Sequence, residues 1–247
     1  MQYLLSAASR TILTQLTRER TLFAFDFDGT LAPIVEHPNK AKMRMRTRNL
    51  LGRLAALHPC VIVSGRARAD VLEKLGGAKV SRVIGNHGAE TEAAPTKGLS
   101  RVAEWKATLK REMGSMAGVW LEDKRLSLAV HYRHSTSKAK VRRQILAATQ
   151  SLKRVRVFGG KDVVNIVSYR ANHKGHALAT ERNRLACNWV LYVGDDQNDE
   201  DAFALDGKTV PVRIGRKKHS HARYYLKTQA EIDQLLDLLV GERKPAV

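Results

Sequence analysis

Cysteine is scarce in this sequence, with only Cys60 and Cys187 among 247 residues. Their spacing fits no metal-binding pattern, and each lies beside an apolar strand pattern. This favours buried free thiols in a reducing compartment over a disulfide. No apolar run approaches the roughly 18 residues that a membrane-spanning helix needs. The first twenty residues also lack the basic start, apolar stretch and cleavage site of a secretory signal. We therefore expect a cytoplasmic protein that does not associate with a membrane.

Acidic residues are also scarce relative to basic ones. The sequence has 24 Asp and Glu against 43 Lys and Arg, a formal net charge of +19 that would attract anions. The basic clusters lack the interleaved aromatics, zinc pattern or binding motif that would indicate nucleic acid. Solvated helix faces explain most of these clusters equally well. We therefore do not expect a nucleic-acid partner. The sequence does not report the oligomeric state, for which we favour a monomer.

Repeats, low-complexity tracts and long linkers are absent from the sequence. Short apolar runs alternate instead with amphipathic helical stretches, which predicts an α/β fold with a doubly wound, mainly parallel sheet. Three of four prominent apolar runs end in polar motifs that contain glycine, and ligands bind beyond the carboxyl ends of strands in such sheets. The predicted strands are Leu22 to Phe27, Cys60 to Val63, Arg82 to Ile84 and Trp189 to Val193.

The middle of the chain has a different pattern. Between about Gly98 and about Ala171, two helical stretches are each followed by a pair of short strands, which predicts an inserted α+β cap. Alternating apolar and polar residues from Leu126 to Arg133 suit a sheet with one packed face and one free face. We predict a core domain of residues 1–97 plus 172–247 and a cap domain of residues 98–171 inserted over the ligand site.

The segment Asp26-Phe27-Asp28-Gly29-Thr30 comes directly after the first predicted strand. Side chains at positions i and i+2 of a strand project to the same side, so the two carboxylates would repel each other. A cation or a shared proton can offset that repulsion. The motif therefore suggests metal-assisted chemistry at an aspartate, with a turn or a structural carboxylate pair as the alternative.

An ordered set of motifs resembles the haloacid dehalogenase-like phosphatases, and within them the trehalose-6-phosphate phosphatases. The resemblance covers nearly the whole chain and includes the predicted cap, where Glu122-x-Lys124 and His131-Tyr132-Arg133 are similar to the sugar-reading cap of that family. Each motif is weak alone, but their order is specific. The motifs in chain order are Asp26-x-Asp28-Gly-Thr, Ser64-Gly65-Arg66, Gly85-Asn86-His87-Gly88, Lys174-Gly175 and Gly194-Asp195-Asp196-x-x-Asp199-Glu200-Asp201.

The resemblance implies hydrolysis of a phosphate monoester, with trehalose 6-phosphate as the expected substrate. It implies that Asp26 attacks phosphorus and forms an aspartyl phosphate, while Asp28 serves as general acid and then general base. Ser64 would donate to a phosphate oxygen, and Lys174 would pair with the nucleophile and the phosphate.

The resemblance also implies a magnesium ion, a hard cation that takes oxygen ligands. Its expected ligands are the Asp26 carboxylate, the Asp28 backbone carbonyl and Asp195, with Asp196 and Asp199 in support. Such a cation would neutralise the anionic phosphate oxygens that repel a nucleophile.

Sugar recognition is where the sequence departs from the family. The family usually has glutamate at position 165 and commonly threonine at position 198, but this chain has asparagine at both. An amide can donate as well as accept hydrogen bonds, so recognition of sugar hydroxyls can differ. Without the resemblance, Glu122, Lys124 and Arg133 could equally lie on a solvated strand face, and His87 could be only a loop histidine. The expected substrate-binding residues are Arg66, His87, Glu122, Lys124, Arg133, Lys161 and Asn165.

Two alternatives to a trehalose-6-phosphate phosphatase stay open at this point. One is a phosphatase or phosphomutase for a different sugar phosphate. The other is a non-catalytic protein on the same fold that uses its charge of +19 to bind a polyanion. The presence of Asp26, Asp28, Lys174 and Asp195 argues against the second, because a degenerate site should have lost some of them.

Overall fold

The computed structural model describes residues 1–92 and 99–241, without the side chains of residues 99 and 100. The chain forms two compact units. Unit 1 comprises Met1–Gly88 and His173–Val247, and unit 2 comprises Ala89–Asn172. Gly98, where we expect the insert to begin, lies outside the described residues.

The α-helices and strands of unit 1 alternate except that β11 follows β10 directly, whereas unit 2 has two α-helices and four strands among its described residues. The helices are α1 (Arg10–Arg18), α2 (Met45–Leu57), α3 (Arg68–Lys74), α4 (Leu99–Met113), α5 (Lys138–Thr149), α6 (Lys174–Arg184), α7 (Glu200–Phe203) and α8 (Ile232–Gly241). The strands are β1 (Gln2–Tyr3), β2 (Thr21–Phe25), β3 (Cys60–Val63), β4 (Arg82–Ile84), β5 (Trp120–Asp123), β6 (Ser127–His131), β7 (Val155–Gly160), β8 (Val163–Ser168), β9 (Trp189–Gly194), β10 (Thr209–Ile214) and β11 (Tyr224–Leu226).

Unit 1 is built on a sheet of seven strands in the order β1-β11-β10-β9-β2-β3-β4, and all its strand pairs are parallel. Strand β2 lies in the interior of this sheet, between β9 and β3, and is buried along its whole length. Phe23 and Phe25 pack with Leu51 of α2 and Leu236 of α8 on one face. Leu22 and Ala24 pack on the other face with residues of α6 and α7. Burial on both faces explains why the strand is a continuous apolar run rather than an alternating one.

The prediction of a doubly wound, mainly parallel sheet is confirmed. The four predicted strands correspond to β2, β3, β4 and β9. Strands β1, β10 and β11 were not predicted, and β10 includes Pro211, a residue that argues against a central strand in a sequence pattern. Cys60 and Cys187 are both free and buried, which agrees with the expectation of buried thiols rather than a disulfide. Within the described ranges, no helix combines the length and apolarity needed to cross a membrane.

Unit 2 has an antiparallel sheet in the order β5-β6-β8-β7. Side chains alternate along β6 as predicted, but the face that we expected to be free is buried at Ser127 and Ala129. Leu128 and Val130 of β6 pack in a core with Trp105 of α4 and Ile145 of α5. The intervening side chains of the sheet project to the opposite face, which we call the helix-free face.

The chain leaves unit 1 after Gly88 and returns to it at His173. These two positions are packed together, because a Cβ atom at Gly88 would overlap the His173 carbonyl group. Gly88 also has a φ of +109°, a conformation that glycine adopts without steric cost. His173 directly precedes Lys174, the first residue of α6.

Candidate active site

The sequence motifs of unit 1 meet at one edge of the parallel sheet. Asp26 directly follows β2, Ser64 follows β3 and Asp195 follows β9. Because β2 pairs with both β3 and β9, these three side chains begin at the carboxyl ends of neighbouring strands. This edge is where ligands bind in doubly wound sheets.

Lys174 connects the first and last motifs at this edge. Its ammonium Nζ lies 2.9 Å from Asp26 Oδ1 and 2.8 Å from Asp199 Oδ1. The Lys174 side chain is only 1% exposed. Burial lowers the pKa of Lys174, but attraction to Asp199 and Asp26 outweighs burial, so its pKa lies above the ordinary value. Lys174 therefore remains a fixed positive charge beside Asp26.

Asp199 is held by four hydrogen-bond donors. Its Oδ1 accepts from Lys174 and, at 2.6 Å, from the Tyr192 hydroxyl. Its Oδ2 accepts from the backbone N–H groups of Asp195 and Asp196, each at 2.9 Å. Asp196 caps the following turn by accepting from the Gln197 N–H. Asp199 thus fixes both Lys174 and the loop that carries Asp195.

The carboxyl groups of Asp26 and Asp195 are buried close to other carboxylates, which makes their ionised forms unfavourable. Burial raises the pKa of Asp26 to about 7, with a further rise from Asp199 that Lys174 opposes. Burial, followed by repulsion from Asp26 and Asp199, raises the pKa of Asp195 to about 9. One carboxylate oxygen from each of Asp26, Asp195 and Asp199 lies within 4.8 Å of the others.

These residues fit a hard divalent cation, since Asp26 and Asp195 offer oxygen ligands whose mutual repulsion a cation would relieve. Both oxygens of Asp199 already accept hydrogen bonds, so Asp199 suits a supporting position better than a ligand position.

Glycine lets two loops approach these carboxylates closely. Gly29 has a φ of +77°, and a Cβ atom there would overlap the Asp195 carboxylate. A Cβ atom at Gly194 would overlap the Asp199 side chain. The glycine of the Asp-x-Asp-Gly motif therefore makes room for Asp195.

Asp28, the second aspartate of the motif, pairs with Arg66. The Arg66 guanidinium donates to both carboxylate oxygens of Asp28, from Nε at 2.6 Å and from Nη2 at 2.7 Å. It also donates to Asp70 at 2.6 Å and to the Pro38 carbonyl at 2.7 Å. We predicted Arg66 as a substrate-binding residue, but its guanidinium is engaged with the protein at each of these four contacts.

Ser64 and His87 lie in adjacent loops. The Ser64 hydroxyl oxygen accepts from the Arg66 N–H at 3.2 Å, which leaves its own proton for another acceptor. The His87 N–H donates to the Ser64 carbonyl at 2.9 Å. The His87 ring packs on Gly65, where a Cβ atom would overlap it. His87 is thus a buried neighbour of the Ser64 loop.

Sequence reasoning missed two residues that support the site. Tyr192 is the hydroxyl partner of Asp199 described above. Arg213 of β10 donates to the carbonyls of Asp195 and Asp196 and pairs with Glu200 at 3.0 Å. Tyr192 is a polar side chain within the apolar run of β9, a signal that could have identified it, whereas Arg213 lies in a strand that the sequence pattern did not predict.

Unit 2 contains the other predicted substrate-binding residues. Glu122 Oε2 lies 3.8 Å from Lys124 Nζ. Asn165 is on the same helix-free face as Glu122, because both are paired in register with Ala129 of β6. Arg133 follows β6, and Lys161 is exposed in the turn between β7 and β8. The structure therefore brings Glu122, Lys124 and Asn165 to one part of the sheet.

Comparisons of the sequence and of the fold with known proteins indicate the same family. The sequence model of the family described as Trehalose-phosphatase matches residues 24–230. A trehalose-phosphate phosphatase of Mycobacterium tuberculosis is 29% identical over 94% of this chain and 64% of its own length. An uncharacterised glycosyl hydrolase of the same organism is 33% identical over 94% of this chain but only 19% of its own length. The chain thus spans less than two thirds of these relatives.

The fold is also that of a solved member of this group. The C-terminal domain of C. albicans trehalose-6-phosphate phosphatase superposes with a TM-score of 0.79 and 23% identity, covering 94% of this chain and 96% of that one. The ordered motifs, the parallel sheet with its inserted unit and the match over residues 24–230 agree. This chain belongs to the trehalose-phosphatase family of the haloacid dehalogenase-like hydrolase superfamily.

Proposed function

We propose that this chain is a magnesium-dependent phosphatase that hydrolyses a sugar phosphate monoester, with trehalose 6-phosphate as its expected substrate. The observation that carries the proposal is the buried Asp26 carboxylate, held by Lys174 at 2.9 Å and bordered by Asp195. An acidic cluster of this kind is costly unless it serves a ligand. The names of the relatives support the substrate class.

Asp26 is the nucleophile in this proposal. Lys174 engages its Oδ1, so Oδ2 is the oxygen that attacks phosphorus. The ester oxygen leaves with the bonding electron pair, and Asp26 carries the phosphoryl group as an acyl phosphate. Lys174 also provides positive charge toward the phosphate oxygens. The Ser64 hydroxyl donates its proton to one of them.

Asp28 supplies and removes the proton. As general acid it protonates the departing sugar oxygen, and as general base it takes a proton from the water that attacks the acyl phosphate. The second step releases inorganic phosphate and restores Asp26. Each Asp28 oxygen accepts one hydrogen bond from Arg66 and keeps a second lone pair for these transfers.

Magnesium would be held by the carboxylates of Asp26 and Asp195 and the backbone carbonyl of Asp28. When bound, it supplies charge neutralisation for the phosphate and for the attacking carboxylate. Asp196, Asp199 and Arg213 keep the Asp195 loop in place, because they fix its backbone N–H and carbonyl groups.

Sugar selection belongs to unit 2 in this proposal, through Glu122, Lys124, Arg133, Lys161 and Asn165. A different sugar phosphate, or phosphoryl transfer by a mutase, is the second candidate. The observation that favours this candidate is the amide at position 165, which offers a donor where the family usually has only acceptors.

The test is phosphate release by the purified protein with magnesium and a panel of sugar phosphates, including trehalose 6-phosphate. The Asp26→Asn variant is the control, because asparagine keeps the shape of the side chain but cannot act as the nucleophile. We expect release from trehalose 6-phosphate and none from the variant. Release from other sugars alone would redirect the substrate assignment. Substantial release by the variant would refute the role of Asp26, and none from any substrate would favour the non-catalytic, polyanion-binding alternative.

A further inference from the structure

His131 belongs to the His131-Tyr132-Arg133 motif, but the proposed function leaves it without a role. It is the last residue of β6 and is paired in register with Trp120 of β5. The two rings stack with centroids 4.5 Å apart and planes only 8° from parallel. A second histidine, His134, stacks on Trp120 at 5.5 Å. Trp120 therefore holds the imidazole of His131 in one orientation on the helix-free face.

The stacked imidazole is hydrogen-bonded to Glu122. His131 Nε2 lies 2.7 Å from Glu122 Oε2, and the Glu122 side chain is 39% exposed. A half-exposed glutamate ordinarily samples several rotamers, and fixing a long side chain costs conformational entropy. Contacts with His131 and with Lys124 restrict Glu122 before any ligand arrives. Such preorganisation increases the affinity of a ligand that uses the carboxylate.

The pairing of the strands shows where this carboxylate lies relative to Asn165. Glu122, Ala129 and Asn165 are paired in one row across β5, β6 and β8, so a single methyl group separates the two polar side chains. Asn165 is only 4% exposed. Next to this row, His131 and Trp120 form the adjacent row on the same face.

We propose that His131, held by Trp120, is a positioning residue that sets the Glu122 carboxylate for a hydroxyl-bearing sugar group. This inference rests on the proposed function and extends it to two residues outside the expected ligand set. His131 acts through Glu122 and takes no part in phosphoryl transfer. Its loss therefore weakens recognition of the sugar and leaves the reaction at Asp26 unchanged.

The test compares His131→Leu with His131→Gln. Leucine removes the ring nitrogen that meets Glu122, whereas glutamine places an amide nitrogen at a similar distance from the backbone and can still donate to the carboxylate. Trp120→Ala and Trp120→Phe form a second pair that removes or keeps the stacking partner. Each variant is assayed with trehalose 6-phosphate and with p-nitrophenyl phosphate, a small aryl ester that has no sugar.

We expect His131→Leu to raise KM for the sugar phosphate about tenfold, a typical effect of losing support for a charged contact. We expect little change in kcat or in the rate with p-nitrophenyl phosphate. His131→Gln and Trp120→Phe should recover most of the affinity. Equal losses with both substrates, accompanied by a lower Tm, would show a purely structural role and overturn the inference.

A binding measurement separates this inference from the proposed function. Isothermal titration of trehalose 6-phosphate into the Asp26→Asn protein reports affinity without turnover. If the Asp26→Asn, His131→Leu double variant binds trehalose 6-phosphate more weakly than Asp26→Asn alone, the inference is supported even if the wild-type protein releases no phosphate. Unchanged binding overturns it even if the protein proves to be an efficient phosphatase.

Discussion

Arg66 holds both carboxylate oxygens of Asp28, through donors at 2.6 and 2.7 Å. Such a bidentate pair fixes the plane of the carboxylate as well as its position. Arg66 also lies over the Phe27 ring at 5.7 Å and contacts Asp70, so its own position is fixed by several neighbours. The orientation of the proposed acid and base is therefore set from the loop after β3.

Replacing Arg66 with lysine should impair the proton transfers. Lysine can bind one carboxylate oxygen but cannot form the bidentate pair, so Asp28 would lose its fixed orientation. We expect kcat to fall by about ten- to a hundredfold with a smaller change in KM. Steady-state kinetics would measure both, and Arg68→Lys in the following helix is a matched control. An unchanged kcat in Arg66→Lys would contradict this role.

Stability without metal should depend on pH in a direction set by the acidic cluster. The folded-state pKa values of Asp26 and Asp195, about 7 and about 9, exceed the ordinary aspartate value of 3.8. The folded protein thus binds more protons than the unfolded chain between these values, and its free energy of unfolding falls as pH rises. Thermal denaturation in chelator should show a lower Tm at about pH 8 than at about pH 6.

Magnesium and Asp195→Asn should both reduce this dependence, because each removes repulsion from the cluster. We expect magnesium to raise Tm more at about pH 8 than at about pH 6, and Asp195→Asn to abolish most of that rise. A magnesium effect of the same size in Asp195→Asn would exclude this carboxylate as a ligand.

Arg213 should influence magnesium affinity although it is not an expected ligand. It donates to the carbonyls of Asp195 and Asp196 and is only 7% exposed. We expect Arg213→Met to raise the magnesium concentration for half-maximal activity about tenfold, as loss of support around a ligand commonly does. Arg216→Met, outside β10 on the same segment, is the comparison. Equal magnesium dependence in both variants would show that the contacts of Arg213 do not position the Asp195 loop.

Asn165 should affect which sugar phosphate is preferred. Changing it to glutamate restores an acceptor-only side chain at this position. Relative kcat/KM values across the sugar phosphate panel should therefore change order, with trehalose 6-phosphate gaining most. Asn198→Thr tests the other departure from the family in the same assay. If the order is the same in Asn165→Glu and wild type, position 165 does not select the sugar.

The strands around the site could be predicted because burial on both faces leaves a continuous apolar run, as in β2 and β9. Strand β10 could not, because Pro211 and Arg213 interrupt its pattern. The contact between Arg66 and Asp28 also lay beyond sequence reasoning, since the two residues are 38 positions apart. Motif order indicated that Arg66 was near the site, but only tertiary packing determines which group its guanidinium binds.

The contact between Gly88 and His173 has a consequence for the evolution of the inserted unit. Two chain positions that already touch can be joined by a short linker, or separated by a long segment, at an entropic cost that grows only with the logarithm of segment length. The core can therefore exchange one insert for another without rebuilding the sheet, with Lys174 kept one residue past the junction. Substrate range can change by replacement of a whole segment while the phosphate chemistry is inherited intact.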